Sequence, residues 1–192
     1  MAPALYSDKE RVVAILADSF ADNPSVNLVV KQNGDRLSRI RQLMEYCFEH
    51  CFYSGAVYLS DDRNGCALIV YPDKNKFSLK SVSMDIKLVF SVIGLSNLKM
   101  VLHREKLIKQ NHPSTAFMHL WYIGVDPQHQ HKGIGSELLL TILDESRKLN
   151  RDIYLETSVT GNINWYKKHG FNVYKELPFA STLYLLKRTN KG

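Results

Sequence analysis

Apolar residues along the chain follow two rhythms. Over residues 7–20, Val12, Val13, Leu16 and Phe20 recur near a period of 3.6, which predicts a one-sided helix. Ser7 and Glu10 before them have the spacing of a capping box. "DNPS" at residues 22–25 breaks the pattern. Residues 35–52 resume it, with Leu37, Ile40, Leu43, Met44, Cys47, Phe48 and Cys51 forming a second stripe. The period then falls to two. "AVYLS" and "CALIVY" (residues 56–60 and 66–71) flank "DDRNG", whose Asn-Gly is a hairpin signal. Residues 81–93 and 97–109 read as two short helices parted by Gly94, with Ser96 as the second one's N-cap. A long strand follows at 115–125. A third amphipathic helix carries Ile134, Leu138, Leu139, Ile142, Leu143 and Leu149. Then come a short strand ("DIYLETS"), a short helix at 162–169 stopped by Gly170, and two closing strands, "FNVYKEL" and "STLYLLKR". The sum is a mixed α/β domain, one unit over residues 1–192, with a helical insertion before the long strand.

Composition narrows the class. The chain has 192 residues, enough for one core, and its 45% hydrophobic and 23% charged content is that of a globular protein. Asp8, Lys9, Glu10 and Arg11 interrupt any secretory core at the N-terminus, and no run approaches the ~18 uncharged residues of a membrane span. A cytoplasmic protein without membrane contact is expected. Three cysteines, an odd number, argue against a disulfide framework, and Cys47 and Cys51 share a helical face as core residues do. The net charge of +6 suits an anionic ligand. The basic residues are scattered, without a dense stripe, so nucleic acid is not expected as a partner.

One stretch carries chemistry. "DPQHQHKGIGSELLL" (residues 126–140) sets two glycines where a helix should begin, directly after a strand. The second costs helix stability, about 1 kcal/mol against alanine. A helix N-terminus offers unpaired N–H groups and partial positive charge, and glycines admit a phosphate close to the backbone. The amides of Gln130, His131, Lys132, Gly133, Ile134, Gly135 and Ser136 would then face a phosphate or pyrophosphate. The nucleotide P-loop pattern is absent, and Leu138 stands where the dinucleotide fingerprint needs a third glycine. What is left is Gln130-x-x-Gly133-x-Gly135. His129 and His131 lack a nearby carboxylate cluster; a solvated loop is expected there, and no metal site.

That pattern in its context, "IGVDPQHQHKGIGSELL", resembles the acetyl-CoA motif of the GNAT superfamily of N-acetyltransferases. About thirty residues later "NWYKKHGF" is similar to the family's second signature. Within the superfamily, "SFADNPS", "GVDPQHQHKGIGS" and "YLETS" with "WYKKHGF" look like the puromycin N-acetyltransferase group. The resemblance implies a GNAT-like fold, with a central splayed mixed sheet flanked by helices, and acetyl-CoA as cofactor. The family's opening strand has only "APALYS" to form it. Tyr166 matches the general-acid tyrosine that protonates the leaving thiolate. The backbone of Ile123, Gly124 and Val125 would meet the pantetheine arm and supply the oxyanion donor.

The general base stays open between His119, whose parity along the strand matches Val125 and which resembles the strand histidine of arylalkylamine N-acetyltransferases, and Glu156 on the next strand. Asn162 either caps the short helix or bonds the pantetheine arm. The acceptor, a small-molecule amine, would sit between the first two helices and the insertion at 77–112, against Trp121, Tyr122 and Phe52. The alternatives are a non-catalytic acyl-CoA sensor and an acetyltransferase for a peptide amine. The chain would act as a monomer or homodimer.

Overall fold

The computed structural model describes residues 2–74 and 79–190. Phe77 and Ser78, at the head of the expected insertion, lie outside the described residues. The strands are β1 (Ala2–Pro3), β2 (Gly55–Leu59), β3 (Gly65–Val70), β4 (Met118–Val125), β5 (Ile153–Thr157), β6 (Asn172–Leu177) and β7 (Leu183–Arg188). The helices are α1 (Lys9–Ser19), α2 (Pro24–Val29), α3 (Arg36–Ser54), α4 (Leu79–Leu88), α5 (Leu95–Asn111), α6 (Ile134–Leu149) and α7 (Thr160–Lys168). The strands form one sheet in the order β1-β2-β3-β4-β5-β7-β6. Its neighbours are antiparallel except β4 and β5, which α6 connects as a parallel crossover. "APALYS" does yield a strand, of two residues paired with Tyr58 and Leu59.

Local chemistry moves several helix starts from their expected places. Ser7 lies inside a 3-10 turn, and Asp8 precedes α1, with Asp8 Oδ2 accepting the Leu5 N–H at 2.8 Å. "DNPS" ends one helix and begins another. Pro24 opens α2, and Asn23 Oδ1 accepts the N–H groups of Ser25 and Val26. Gly94, not Ser96, precedes α5.

Two apolar layers enclose the sheet. On one face α1 and α3 pack Val12, Leu16, Ile40, Met44 and Phe48 against β2 and β3. Cys47, Cys51 and Cys66 are buried free thiols in that layer. On the other face α6 sets Leu138, Leu139 and Ile142, all fully buried, against β3 and β4. Each such side chain stabilises by about 1.5–3 kcal/mol, so the stripe outweighs a glycine in the first turn.

Two irregularities in β4 create the site. Its pairing with β5 covers only Met118↔Ile153 and His119↔Tyr154; beyond them the strands part. Its pairing with β3 slips between Leu68↔Tyr122 and Ile69↔Leu120, leaving Trp121 as an extra residue, a β-bulge. Met118 and Leu120 face the α6 layer, and so do Ile123 and Val125, whereas Trp121 and Tyr122 both turn to the α1–α3 layer. The expected shared parity of His119 and Val125 therefore fails. The bulge resets the alternation, and the two side chains lie on opposite faces.

Candidate active site

The cleft begins where β4 ends. Asp126 anchors this corner: its Oδ1 accepts the Gln128 N–H and its Oδ2 the Arg11 guanidinium at 2.9 Å. Arg11, from α1, also donates to Arg63 O and Asn64 Oδ1, so helix, hairpin and loop share one knot. Arg11 also holds the Asp126 carboxyl below its ordinary range. Gln130 Nε2 donates to Val125 O at 3.3 Å. His131 (φ +63°) and Gly133 (φ +89°) then take left-handed turns into α6. The N–H groups of Ser136 and Glu137 return to Gly133 O. Those of Ile134 and Gly135 have no helical carbonyl to reach, and no side chain caps them.

The two glycines differ in kind. At Gly133 a Cβ would meet nothing within 4 Å, but its φ favours glycine. Gly135 is helical, and a Cβ there would meet Val125 Cγ2 at 3.6 Å and Trp165 Cζ2 at 3.8 Å, ordinary contacts. Nothing in the chain itself requires that glycine. A phosphate held against the first-turn amides would, and this cradle fits the diphosphate of coenzyme A. The loop is solvated as expected, with Gln128, Gln130, His131 and Lys132 exposed, but His129 Nδ1 within it is buried without a hydrogen bond, with Asp126 Oδ1 3.7 Å away.

Along β4 the gap exposes backbone. The Asp126 N–H bonds Asn64 O. Antiparallel alternation then turns the polar groups of Gly124 and Tyr122 to β3, and those of Ile123 and Val125 to the gap. An extended amide ligand such as pantetheine fits that edge. Gly124 itself answers to packing, since a Cβ there would lie 2.6 Å from Ser19 Oγ of α1.

At the start of the gap stand the proton-handling groups. His119 Nε2 lies 2.7 Å from Glu156 Oε2, and His112 Nε2 lies 2.9 Å from Glu156 Oε1. Side-chain exposure is 14%, 10% and 9% for His119, Glu156 and His112, so the cluster is nearly dry. Burial alone would raise Glu156, but the charge of His119 and both hydrogen bonds outweigh it and hold the carboxyl well below its usual range. Burial would lower His119; Glu156 reverses the sign and raises it. The two candidate bases are thus one ion pair. The three ligating atoms lie within 4.8 Å of one another, as in a metal set. Ligands around a tetrahedral zinc stand about 3.3 Å apart, however, and the observed N···O contacts are those of hydrogen bonds.

Tyr166, on α7, is 5% exposed and packs its ring on Phe171 and Trp165. Burial, then the charge of Glu156, pushes its phenol far above the ordinary value. No hydrogen-bond partner for its hydroxyl is found among the described residues.

Residues 91–171 match the family model described as "Acetyltransferase (GNAT) family". That segment, less than half of the chain, holds the glycine loop, Glu156 and Tyr166. Solved structures extend the GNAT fold to the whole chain. The Corynebacterium glutamicum protein described as "histone acetyltransferase HPA2 and related acetyltransferase" superposes with a TM-score of 0.74 at 20% identity, covering 100% of this chain and 96% of that one. The Drosophila melanogaster polyamine N-acetyltransferase gives 0.69 at 13% identity, covering 98% of each chain. Arylalkylamine N-acetyltransferase 2 of Aedes aegypti gives 0.66 at 14%, covering 98% and 97%. The narrower likeness to the puromycin N-acetyltransferase group rests on the sequence motifs alone.

Nearly all the residues chosen from sequence line one cleft of about 1140 Å³ that runs from the glycine loop to α4 and α5. Lys132 is exposed and does not line it. Phe52 lies elsewhere, against Tyr6 and Phe48. Asn162 lines the cleft but does not cap α7, because the helix begins two residues earlier, after Val159. Ser136, expected at the cofactor, also accepts a hydrogen bond from Trp165 Nε1 at 3.2 Å, joining the glycine loop to α7. Sequence reasoning missed His112. Its only sequence signal is a histidine just before Pro113, at the end of α5.

Proposed function

We propose that the chain is an N-acetyltransferase moving an acetyl group from acetyl-CoA to the primary amine of a small molecule by direct attack. One observation carries this reading. Two proton-handling groups of opposite character, the His119–Glu156 pair and Tyr166, line the same cleft where β4 and β5 part.

Acetyl-CoA, when bound, supplies the acetyl thioester. The amides of Ile134 and Gly135 and the loop of Gln130–Gly133 would hold its diphosphate, and the free edge of β4 at Ile123 and Val125 its amide arm. Asn162 and Ser136 stand along the same wall. His119 takes the proton of the incoming ammonium once its own ring is neutral, and Glu156 orients that ring and stabilises the cation that results. His112 holds the second carboxylate oxygen, so Glu156 cannot turn away. Tyr166 keeps its proton at neutral pH and offers it to the departing sulfur. Backbone N–H groups at the opened edge of β4 face the charge that develops on the acyl oxygen. The apolar walls contributed by Leu98, Val101, Trp121 and Tyr122 suit a small acceptor with an apolar body.

A cytoplasmic place of action belongs to the same proposal, supported by three buried free thiols. Among the described residues no single helix is long and apolar enough to cross a membrane.

The test is acetyl-CoA titration by calorimetry beside a thiol-release assay over small amines and short peptides. Binding with release on small amines is expected. Binding without release on any acceptor would make the chain a sensor, and release on peptides alone would overturn the small-molecule assignment. Failure to bind acetyl-CoA would remove the reading altogether.

A further inference from the structure

The acceptor side of the cleft holds a charge that acetyl transfer to a plain amine does not use. Arg104, on α5, lines the cleft, and its side chain is 12% exposed. Among the arginines with ion pairs in the described residues it is the most buried. The next, Arg151 at 16%, makes two hydrogen bonds to Asp73 at 2.7 and 2.8 Å. Arg11, at 33%, has three acceptors within 2.9 Å. Among the described residues Arg104 has one hydrogen-bond partner, the neutral hydroxyl Ser25 Oγ at 3.2 Å. The carboxylate of Glu105 is 4.0 Å away, beyond hydrogen-bond reach, on a side chain 46% exposed. A guanidinium carries five N–H donors, and its burial is unfavourable unless an anion meets it.

The place of this charge indicates where the anion comes from. Ser25 Oγ donates onward to Ser158 Oγ at 3.0 Å, two residues past Glu156. Two hydrogen bonds thus link Arg104 to the end of β5, the strand that carries Glu156. The glycine loop lies past the other end of β4. The planar fork of an arginine matches a carboxylate in two parallel hydrogen bonds.

We infer that Arg104 receives a carboxylate of the acceptor, so the amine that is acetylated belongs to an amino acid with an apolar or aromatic side chain. This rests on the transferase reading, and the test separates the two. Paired compounds that differ by the carboxylate, L-tryptophan with tryptamine and L-phenylalanine with phenethylamine, are compared in thiol release. Binding of N-acetyl-L-tryptophan and N-acetyltryptamine to the CoA-saturated protein is measured by calorimetry, which needs no turnover.

The carboxylate form should be favoured by about 10- to 100-fold in at least one pair, the worth of one charged hydrogen-bonded contact. Arg104→Met should erase that preference without changing the affinity for CoA, and Arg104→Lys should keep part of it. Thiol release that is equal across the pairs, or better with the amine, overturns the inference and leaves the transferase standing. Arg104-dependent binding of the carboxylate form without thiol release does the reverse. A loss of CoA affinity in Arg104→Met would assign the arginine to a cofactor phosphate, and binding of neither form would also overturn the inference.

Discussion

At one end of the cleft the groups offered to a ligand are backbone amides on consecutive residues; at the other they are side chains from α5, β4, β5 and α7. The glycine loop is set by two left-handed residues and the start of one helix. It can form from local sequence once α6 is packed. The proton-transfer end exists only when His112, His119, Glu156 and Tyr166 meet across four elements. A backbone site is insensitive to most side-chain substitutions and vulnerable to any added Cβ. A side-chain site is the opposite, and because its charges are buried it is also coupled to pH and to stability.

The largest expected effect is at the side-chain end. Tyr166→Phe should lower kcat by about 10²- to 10⁴-fold, the usual worth of a positioned acid, with acetyl-CoA affinity in calorimetry unchanged. If kcat is unaffected, the phenol only fills space.

Glu156→Gln is next. Removing one partner of a buried ion pair should destabilise the fold by about 3–5 kcal/mol, read by urea unfolding. The pH dependence follows from the two directions. Glu156 lies below its unfolded value of 4.5, so its contribution is present above that pH and lost as pH falls through the folded value. His119 lies above its unfolded 6.5, so its contribution is complete below that pH and lost as pH rises through the folded value. The stability gap between wild type and Glu156→Gln should therefore be widest between pH 4.5 and 6.5.

Catalysis runs the other way. The neutral ring is the base, so the acid limb of kcat/KM should lie above pH 6.5 and move down in Glu156→Gln, where burial alone acts on His119. A limb that does not move would take His119 out of the base role.

The glycines give the smallest and sharpest contrast. Gly133→Ala must hold alanine at φ +89°, which should cost about 1–2 kcal/mol of stability. Gly135→Ala meets only ordinary contacts and should leave stability equal or slightly higher, while weakening CoA binding. Equal CoA affinity in Gly135→Ala would mean that the phosphate does not approach there.

The same division explains what could be read from the chain. Helices other than α2, strands and the glycine loop follow from periods and spacings within short windows, and they are legible to within a few residues. Helix starts are not. Asp8 and Gly94 displaced the expected caps Ser7 and Ser96, and Asn23 caps a helix that was not expected, because a cap depends on where the chain turns, which composition does not state. His119 and Glu156 were legible as rivals, but not as partners, because their pairing is created by the short β4–β5 contact. His112 and Arg104 carry no local pattern at all. They acquire meaning only when α5 is laid beside the cleft.

The bulge at Trp121 makes β4 a strand with two reading frames. Upstream of it odd-numbered residues look into the acceptor side; downstream they look at α6. Shortening the strand there by Trp121 would remove the bulge, restore a regular alternation, and leave His119, Met118 and Leu120 on their present faces. A single-codon deletion there thus takes away one aromatic wall of the acceptor side while the proton-accepting groups and the glycine loop keep their faces.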